Sequence, residues 1–112
     1  MVDNYIPSRG DIAWISLNPH TGHEQSGRRP AMVLSPYSYN RKIGLAIFCP
    51  VTSVIKGYPF EVKIPENCPV HGVIIADQVR SLDWRVRIAE YICKLDSLTL
   101  GIVLEKIKLL TS

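Results

Sequence analysis

A chain of 112 residues with 46% hydrophobic and 21% charged residues has the balance of one soluble globular domain, so we predict a single domain over residues 1–112. No apolar run approaches the length of a membrane-spanning helix and no leader pattern opens the chain, which excludes a helical membrane protein and predicts a cytoplasmic location. The net charge of +3 permits an anionic partner such as a nucleic acid but does not require one.

Short runs of alternating or continuous apolar residues, bounded by turn residues, predict β-strands along most of the chain. They cover residues 11–17, 30–35, 45–52, 58–64, 72–79 and 85–92. Proline lacks the N–H that a strand donates, so Pro50 is expected at a strand end or a sheet edge. The turn-rich segments between the runs, including 35–40 and 81–84, are expected to be loops.

The last segment changes to a helical period. Apolar residues recur at helical spacing with charged residues on the other side, at Leu100, Val103, Leu104, Ile107 and Leu110. Asp96 or Ser97 is the predicted N-cap. Closely spaced strands followed by one helix predict a mainly β, α+β fold, either a compact antiparallel barrel or a half-open sheet with a packed helix.

The cysteines number three, and an odd count without a signal-peptide pattern predicts reduced thiols rather than a disulfide framework. Cys49 and Cys93 lie in apolar runs and are expected in the core. An apolar environment keeps a thiol inert, so Cys49 is not a predicted nucleophile.

Two closely spaced pairs, His20 with His23 and Cys68 with His71, carry residue types that bind zinc. The alternative is four separate loop side chains near prolines and glycines. A structural zinc usually accompanies a shortage of core, and this chain has many apolar residues. We therefore predict no metal ion and no cofactor.

Two polar groups adjoin predicted strands. The stretch 24–29 contains one carboxylate and two arginines and leads directly into a strand, whereas Thr52, Ser53 and Lys56 follow the end of another. A charged loop on its own is usually solvated surface. Guanidinium, ammonium, hydroxyl and carboxylate groups together suit a phosphodiester site if the two loops converge.

Five segments with these residues follow one another along the chain: GDIAW, GHEQSGRRPAMVLSP, CPVTS, KGYPFEV and ADQVRSLDW. In this order and spacing they closely resemble the MazF/PemK family of toxin–antitoxin endoribonucleases, from Pro7 to the terminal helix. The resemblance implies an SH3-like antiparallel β-barrel with short helices and a C-terminal helix, working as a homodimer. It also implies metal-independent, sequence-specific cleavage of single-stranded RNA. A cognate antitoxin protein is implied as well, and the toxin would contact DNA only through that antitoxin.

Carried over position by position, the resemblance makes Arg29 the catalytic arginine and Thr52 its hydroxyl partner, while Glu24 matches the acidic loop residue. Neither His20 nor His23 inherits a role, because the loop around them varies in the family. The predicted RNA contacts are Arg28, Ser53, Lys56, Gln78 and Gln25.

Cleavage without a metal would use the 2′-hydroxyl of the RNA as nucleophile, which restricts the reaction to RNA. The planar guanidinium of Arg29 suits bidentate stabilisation of the phosphorane, and Thr52 suits a hydrogen bond to a phosphate oxygen. Glu24 is the candidate base. A water molecule and His23 both remain open as the source of the proton for the departing oxygen.

Two other function classes compete with this interpretation. A non-catalytic toxin of the gyrase-poisoning kind uses an exposed tryptophan near the C-terminus, whereas the last tryptophan here is Trp84. A nucleic-acid-binding SH3-like module without catalysis would bind RNA and leave it intact. An RNA cleavage assay therefore discriminates between such a module and an endoribonuclease.

Overall fold

The computed structural model describes residues 5–16 and 27–112. Their elements, in chain order, are β1 (Asp11–Ser16), β2 (Arg28–Val33), α1 (Tyr37–Ile43), β3 (Leu45–Thr52), β4 (Glu61–Lys63), β5 (Val73–Ile75), β6 (Arg80–Asp83), β7 (Glu90–Lys94) and α2 (Ser97–Thr111). All strand pairs are antiparallel, in the order β4-β5-β3-β2-β1-β7, and β6 pairs with the first half of β3. The predicted mainly β, α+β fold is confirmed, although the described strands β4 and β7 do not pair and leave the sheet open.

Pro50 lies inside the central strand β3, so its expected position at a strand end or a sheet edge is wrong. Leu34, just beyond the end of β2, donates its N–H to the carbonyl of Ile47 in β3 at 2.7 Å. Backbone groups of successive strand residues point to opposite neighbours, so those of Ile47 and of every second residue after it point towards β2. The backbone nitrogen of Pro50 therefore points away from β2, towards the strands on the opposite edge of β3. There β3 changes partner, from β6 along residues 45–48 to β5 along residues 51–52, so the missing N–H falls in the gap between them.

Both β6 and α1 form where loops were expected. The seven-residue α1 is fixed by the buried Asn40, whose side-chain amide donates to the carbonyls of Pro7 at 2.8 Å and Ser35 at 3.0 Å. The indole of Trp84 donates to the backbone carbonyl of Asn40 at 3.0 Å, which links α1 to the residue after β6. These contacts join distant parts of the chain, and local residue patterns do not reveal them.

Two apolar clusters cover the two sides of the sheet. The first contains Ile12, Met32, Cys49 and Ile74, and Val103 from α2 packs into it. The second contains Ala31, Val33 and Phe48. Helix α2 begins after the predicted N-cap Asp96, which accepts from the Thr99 N–H at 2.9 Å and the Thr99 hydroxyl at 2.7 Å. These hydrogen bonds lower the pKa of Asp96. In the described ranges neither helix could span a membrane, being too short or insufficiently apolar.

The cysteines differ from the prediction of three reduced thiols. Cys49 is fully buried as expected, and burial, helped by the charge of Asp77, raises its pKa to about 12. Cys68, in the connection between β4 and β5, is bonded through sulfur to Cys93 of β7, and their Cα atoms are 6.5 Å apart. The prediction was wrong for this pair because it relied on the cysteine count and the compartment. Only the curled sheet shows that residues 25 positions apart meet.

Candidate nucleic-acid interface

The two arginines at the start of β2 lie in different environments. The Arg28 side chain is only 11% exposed, and its Nη2 lies 2.9 Å from Oε1 of Glu90 in β7. The same nitrogen donates to the carbonyl of Ile88 at 3.3 Å. Arg29 is exposed, and its Nη1 donates to the backbone carbonyl of Arg28 at 2.8 Å. Arg28 is thus tied across β1 to β7, while Arg29 stands at the surface.

A surface depression of about 510 Å³ adjoins these arginines and is lined by Trp14, Arg28, Arg29, Pro30 and Glu90. Strand pairing builds it, because Trp14 of β1 lies opposite Pro30 on one side and opposite Glu90 on the other. The depression combines an aromatic ring with two guanidinium groups, the chemistry that stacks on bases and contacts phosphates. Neither Trp14 nor Glu90 was among the predicted site residues.

A second, larger pocket of about 760 Å³ brings together three predicted site residues, Thr52, Lys56 and Gln78, from separate segments of the chain. Its lining is completed by Pro50, Val54, Tyr58, Glu61, Ile75 and Asp77. Ser53 is exposed beside Thr52 but does not line the pocket. A hydroxyl, an ammonium and a carboxamide therefore face one space, as a groove for a polar anionic ligand requires.

The register of β2 and β3 relates the two depressions. Ala31 pairs with Pro50, and continuing the antiparallel register by two residues places Arg29 opposite Thr52. Because side chains alternate along a strand, Arg29 lies on the face of Ala31 and Thr52 on the face of Phe48, which both belong to the second apolar cluster. The predicted guanidinium and hydroxyl thus stand on one face, where β2 begins and β3 ends.

The loop with Lys56 is held by a single carboxylate. Glu61 accepts from the backbone N–H groups of Lys56 and Gly57, each at 3.0 Å. Gly57 has a φ of +76°, a conformation that glycine adopts without the steric cost of a side chain. From α2, Lys106 donates to the carbonyl of Pro59 at 2.7 Å. The loop is therefore fixed at both ends, although most of its residues are exposed.

Thr52 is positioned by a close backbone approach. Gly72, which precedes β5, has a φ of +131°, and a Cβ there would lie 2.2 Å from the carbonyl oxygen of Thr52. The Thr52 hydroxyl oxygen accepts from Val54 N–H at 3.1 Å. Among the described residues the hydroxyl hydrogen has no acceptor, so it is available to a ligand oxygen in the pocket.

Asp77 is a further polar residue of the pocket, and it was not among the predicted site residues although it belongs to the ADQVR motif. The Tyr58 hydroxyl donates to its Oδ2, and this hydrogen bond is the main cause of the raised pKa of Tyr58. Its Oδ1 is buried and has no hydrogen-bond partner in the described residues. A carboxylate repels anions, so this side of the pocket is unfavourable for a phosphate.

Several predicted residues lie outside the described residues, namely Glu24, Gln25, His20 and His23. Of the other zinc candidates, His71 is exposed and the sulfur of Cys68 is bonded to Cys93. Residues 5–16 and 27–112 contain no group of three or more His, Cys, Asp or Glu arranged to hold a metal ion.

The family model described as PemK-like, MazF-like toxin of type II toxin–antitoxin system matches residues 8–111. The chain belongs to this family. It is 48% identical over 87 residues to the endoribonuclease toxin MazF of Escherichia coli K12, and the match covers 78% of each chain. The resemblance predicted from the five motifs is confirmed.

Solved structures agree with the family assignment. The crystal structure of MazF from Deinococcus radiodurans matches with a TM-score of 0.86 and 49% identity, over 97% of this chain and 100% of that one. A crystal structure of MazE–MazF from the same organism matches with a TM-score of 0.87 and 44% identity, over 97% and 98% of the two chains. The fold and the family thus rest on both sequence and structure.

Proposed function

We propose that this chain is a sequence-specific endoribonuclease that cleaves single-stranded RNA without a metal ion and is neutralised by a cognate antitoxin protein. The observation that carries the proposal is the position of Arg29 opposite Thr52, on one face where β2 begins and β3 ends, beside the pocket with Lys56 and Gln78. The endoribonuclease activity named for the Escherichia coli relative supports it.

Catalysis in this proposal needs charge stabilisation at one phosphate. The RNA 2′-hydroxyl attacks the adjacent phosphorus, and negative charge grows on the equatorial oxygens. Arg29 binds these oxygens through its planar guanidinium, and the Thr52 hydroxyl donates one further hydrogen bond. Because Gly72 approaches the Thr52 carbonyl so closely, the backbone behind the hydroxyl has little freedom to move.

Two protons must also move. Glu24 is the proposed base that accepts the 2′-hydroxyl proton. The departing 5′-oxygen needs a proton, for which a water molecule and His23 are the two candidates. A His23→Ala variant separates them, because its rate falls only if the imidazole supplies that proton.

RNA binding extends from the cleaved phosphate along the surface. Lys56 and Gln78 line the pocket next to Thr52, and the exposed Ser53 is a proposed contact beside it. Gln25, which lies outside the described residues, is a further proposed RNA contact. Arg28 remains a proposed RNA contact, but its ion pair with Glu90 neutralises part of its charge and gives it a second role in holding the start of β2. Its contribution to binding is therefore smaller than that of an exposed arginine.

Two protein partners belong to the proposal. The crystal structure of MazE–MazF motivates a cognate antitoxin, whose acidic segment would occupy the Lys56 pocket beside the exposed Val54 and Ile55. A second copy of the chain would cover the apolar face of α2, where Leu98 and Leu109 are 75% and 73% exposed. A homodimer would place two such pockets on one particle.

The decisive experiment uses the purified chain, a long single-stranded RNA and an excess of EDTA, followed by mapping of the cut ends. We expect cleavage in EDTA, with 2′,3′-cyclic phosphate and 5′-hydroxyl ends. Cleavage that stops in EDTA and returns with zinc or magnesium would refute metal independence. A 3′-hydroxyl product would refute attack by the 2′-hydroxyl, and binding without cleavage would favour the non-catalytic RNA-binding module.

A further inference from the structure

The disulfide joins the two ends of the open sheet. In the strand order the β4–β5 hairpin stands at one end and β7 at the other, and no hydrogen-bond ladder connects the described strands β4 and β7. Cys68 lies in the connection 64–72 of that hairpin, and Cys93 lies in β7. The sulfur–sulfur bond is therefore a covalent closure of a sheet that backbone hydrogen bonds leave open.

The connection 64–72 also contacts Thr52, the proposed hydroxyl partner of Arg29, at the end of β3. Gly72, four residues after Cys68, lies against the carbonyl of Thr52, and its own carbonyl accepts from Ile64 N–H at 3.0 Å. The next residue, Val73, pairs with Thr52 in the β3–β5 ladder. A movement of the connection is thus transmitted to the residue proposed to bind the phosphate.

Reagents have access to the disulfide. A pocket of about 320 Å³ opens on it, lined by Pro65, Asn67, Cys68, Cys93, Lys94, Leu95 and Asp96. Cys68 is 7% exposed and Cys93 is half-buried, so Cys93 is the more exposed residue of the pair and we take it as the point of attack. The third cysteine, Cys49, is fully buried and cannot exchange with the pair in the folded state.

We propose that Cys68 and Cys93 form a redox-modification site whose oxidised form supports RNA cleavage and whose reduced form weakens it, an inference that rests on the proposed function. A thiolate of a dithiol reductant attacks Sγ of Cys93, forming a mixed disulfide and releasing Cys68, which takes up a proton. The second thiol of the reductant then displaces Cys93. Two electrons pass to the protein, which gains two thiols, and the reductant leaves as its own disulfide.

Loss of the bond leaves the connection 64–72 held by its two flanking strands and by the packing of Ile64, Cys68 and Val70 in the first apolar cluster. Both strands are three residues long, and β4 stands at the end of the strand order. Short edge elements open more readily than the central strands of a sheet. The reduced form therefore holds Gly72 against Thr52 for a smaller fraction of time, while the rest of the core is retained.

The test compares the oxidised chain with the chain reduced by dithiothreitol, with intact mass confirming the gain of two hydrogens. Hydrogen exchange of the Gly72 and Val73 amides is followed without RNA, and cleavage is measured on a fluorogenic RNA. We expect exchange at least tenfold faster and cleavage at least tenfold slower after reduction. The Cys68→Ser variant should match the reduced chain without added reductant, whereas Cys49→Ala should keep the response.

The outcomes separate this inference from the proposed function. Exchange and cleavage that both change less than twofold on reduction would overturn the inference. So would a chain that shows two free thiols under oxidising conditions while circular dichroism shows it folded. If neither redox form cleaves RNA, the proposed function fails. Faster exchange at Gly72 on reduction would still support the coupling of the disulfide to Thr52, and unchanged exchange would overturn it.

Discussion

Replacement of Gly72 by alanine tests whether the backbone of Thr52 must be held in place. The added Cβ would lie 2.2 Å from the Thr52 oxygen and 2.8 Å from its carbonyl carbon. Ordinary contacts between such atoms are about 3.5 Å, so one backbone must move by roughly 1 Å. The φ of +131° adds strain, because side-chain-bearing residues rarely adopt it.

The magnitudes follow from these two terms. A non-glycine residue in such a conformation costs about 1–3 kcal/mol, and overpacking against a rigid neighbour costs about another 1–3 kcal/mol. We therefore expect the free energy of unfolding to fall by about 2–6 kcal/mol. A misplacement of about 1 Å at a reacting group costs about a hundredfold in rate, so the Gly72→Ala chain that remains folded should cleave RNA about a hundredfold more slowly.

Gly57 offers the matched control. Its φ of +76° is also positive, but a Cβ there would have no heavy atom within 4 Å. Gly57→Ala should therefore lose only about 1–2 kcal/mol of stability and keep most of its cleavage rate. Urea unfolding and cleavage of a fluorogenic RNA give the two readouts for both variants. Equal losses in the two variants, or full activity in folded Gly72→Ala, would refute the positioning of Thr52 by Gly72.

Three further predictions concern the arginines, the disulfide and the helix cap. Arg29→Ala should lower turnover about a hundred- to a thousandfold while RNA binding persists. Arg28→Ala should chiefly weaken binding and reduce its salt slope by at most about 0.7, because the ion pair with Glu90 already neutralises part of the Arg28 charge. Equal turnover losses in the two variants would contradict this distinction. Replacing both Cys68 and Cys93 by serine should lower the free energy of unfolding by about 3.5 kcal/mol, the loop entropy expected for a separation of 25 residues. Urea unfolding of this variant and of the oxidised chain gives the comparison, and an unchanged midpoint would contradict the prediction. The pKa of Asp96 is lower in the folded state, so its stabilisation is present above the unfolded pKa and disappears as pH falls through the folded one. Asp96→Ala should therefore destabilise the chain at pH 7 and much less at pH 2, by thermal melts, and an equal loss at both would refute the cap.

The sequence by itself determined the features that depend on near neighbours. The continuous apolar run along 45–52 predicted β3 with its observed bounds, and the helical period with Asp96 before it predicted α2 and its N-cap. Both signals are local, because a side chain's direction along a strand or a helix follows from its position in the period. The motifs around Arg29 and Thr52 likewise identified the family, since they are short stretches of fixed residue types.

The tertiary structure decided what depends on which strands become neighbours. The ion pair between Arg28 and Glu90 joins residues 62 positions apart, and it exists because β7 lies beside β1 in the sheet. The Cys68–Cys93 bond likewise required the sheet to curl until its two ends met. Such pairings arise from packing and register across the whole chain, and no local period encodes them. The predicted site residues were thus chosen from short motifs in the sequence, whereas the environment of those that the structure describes was set by the fold.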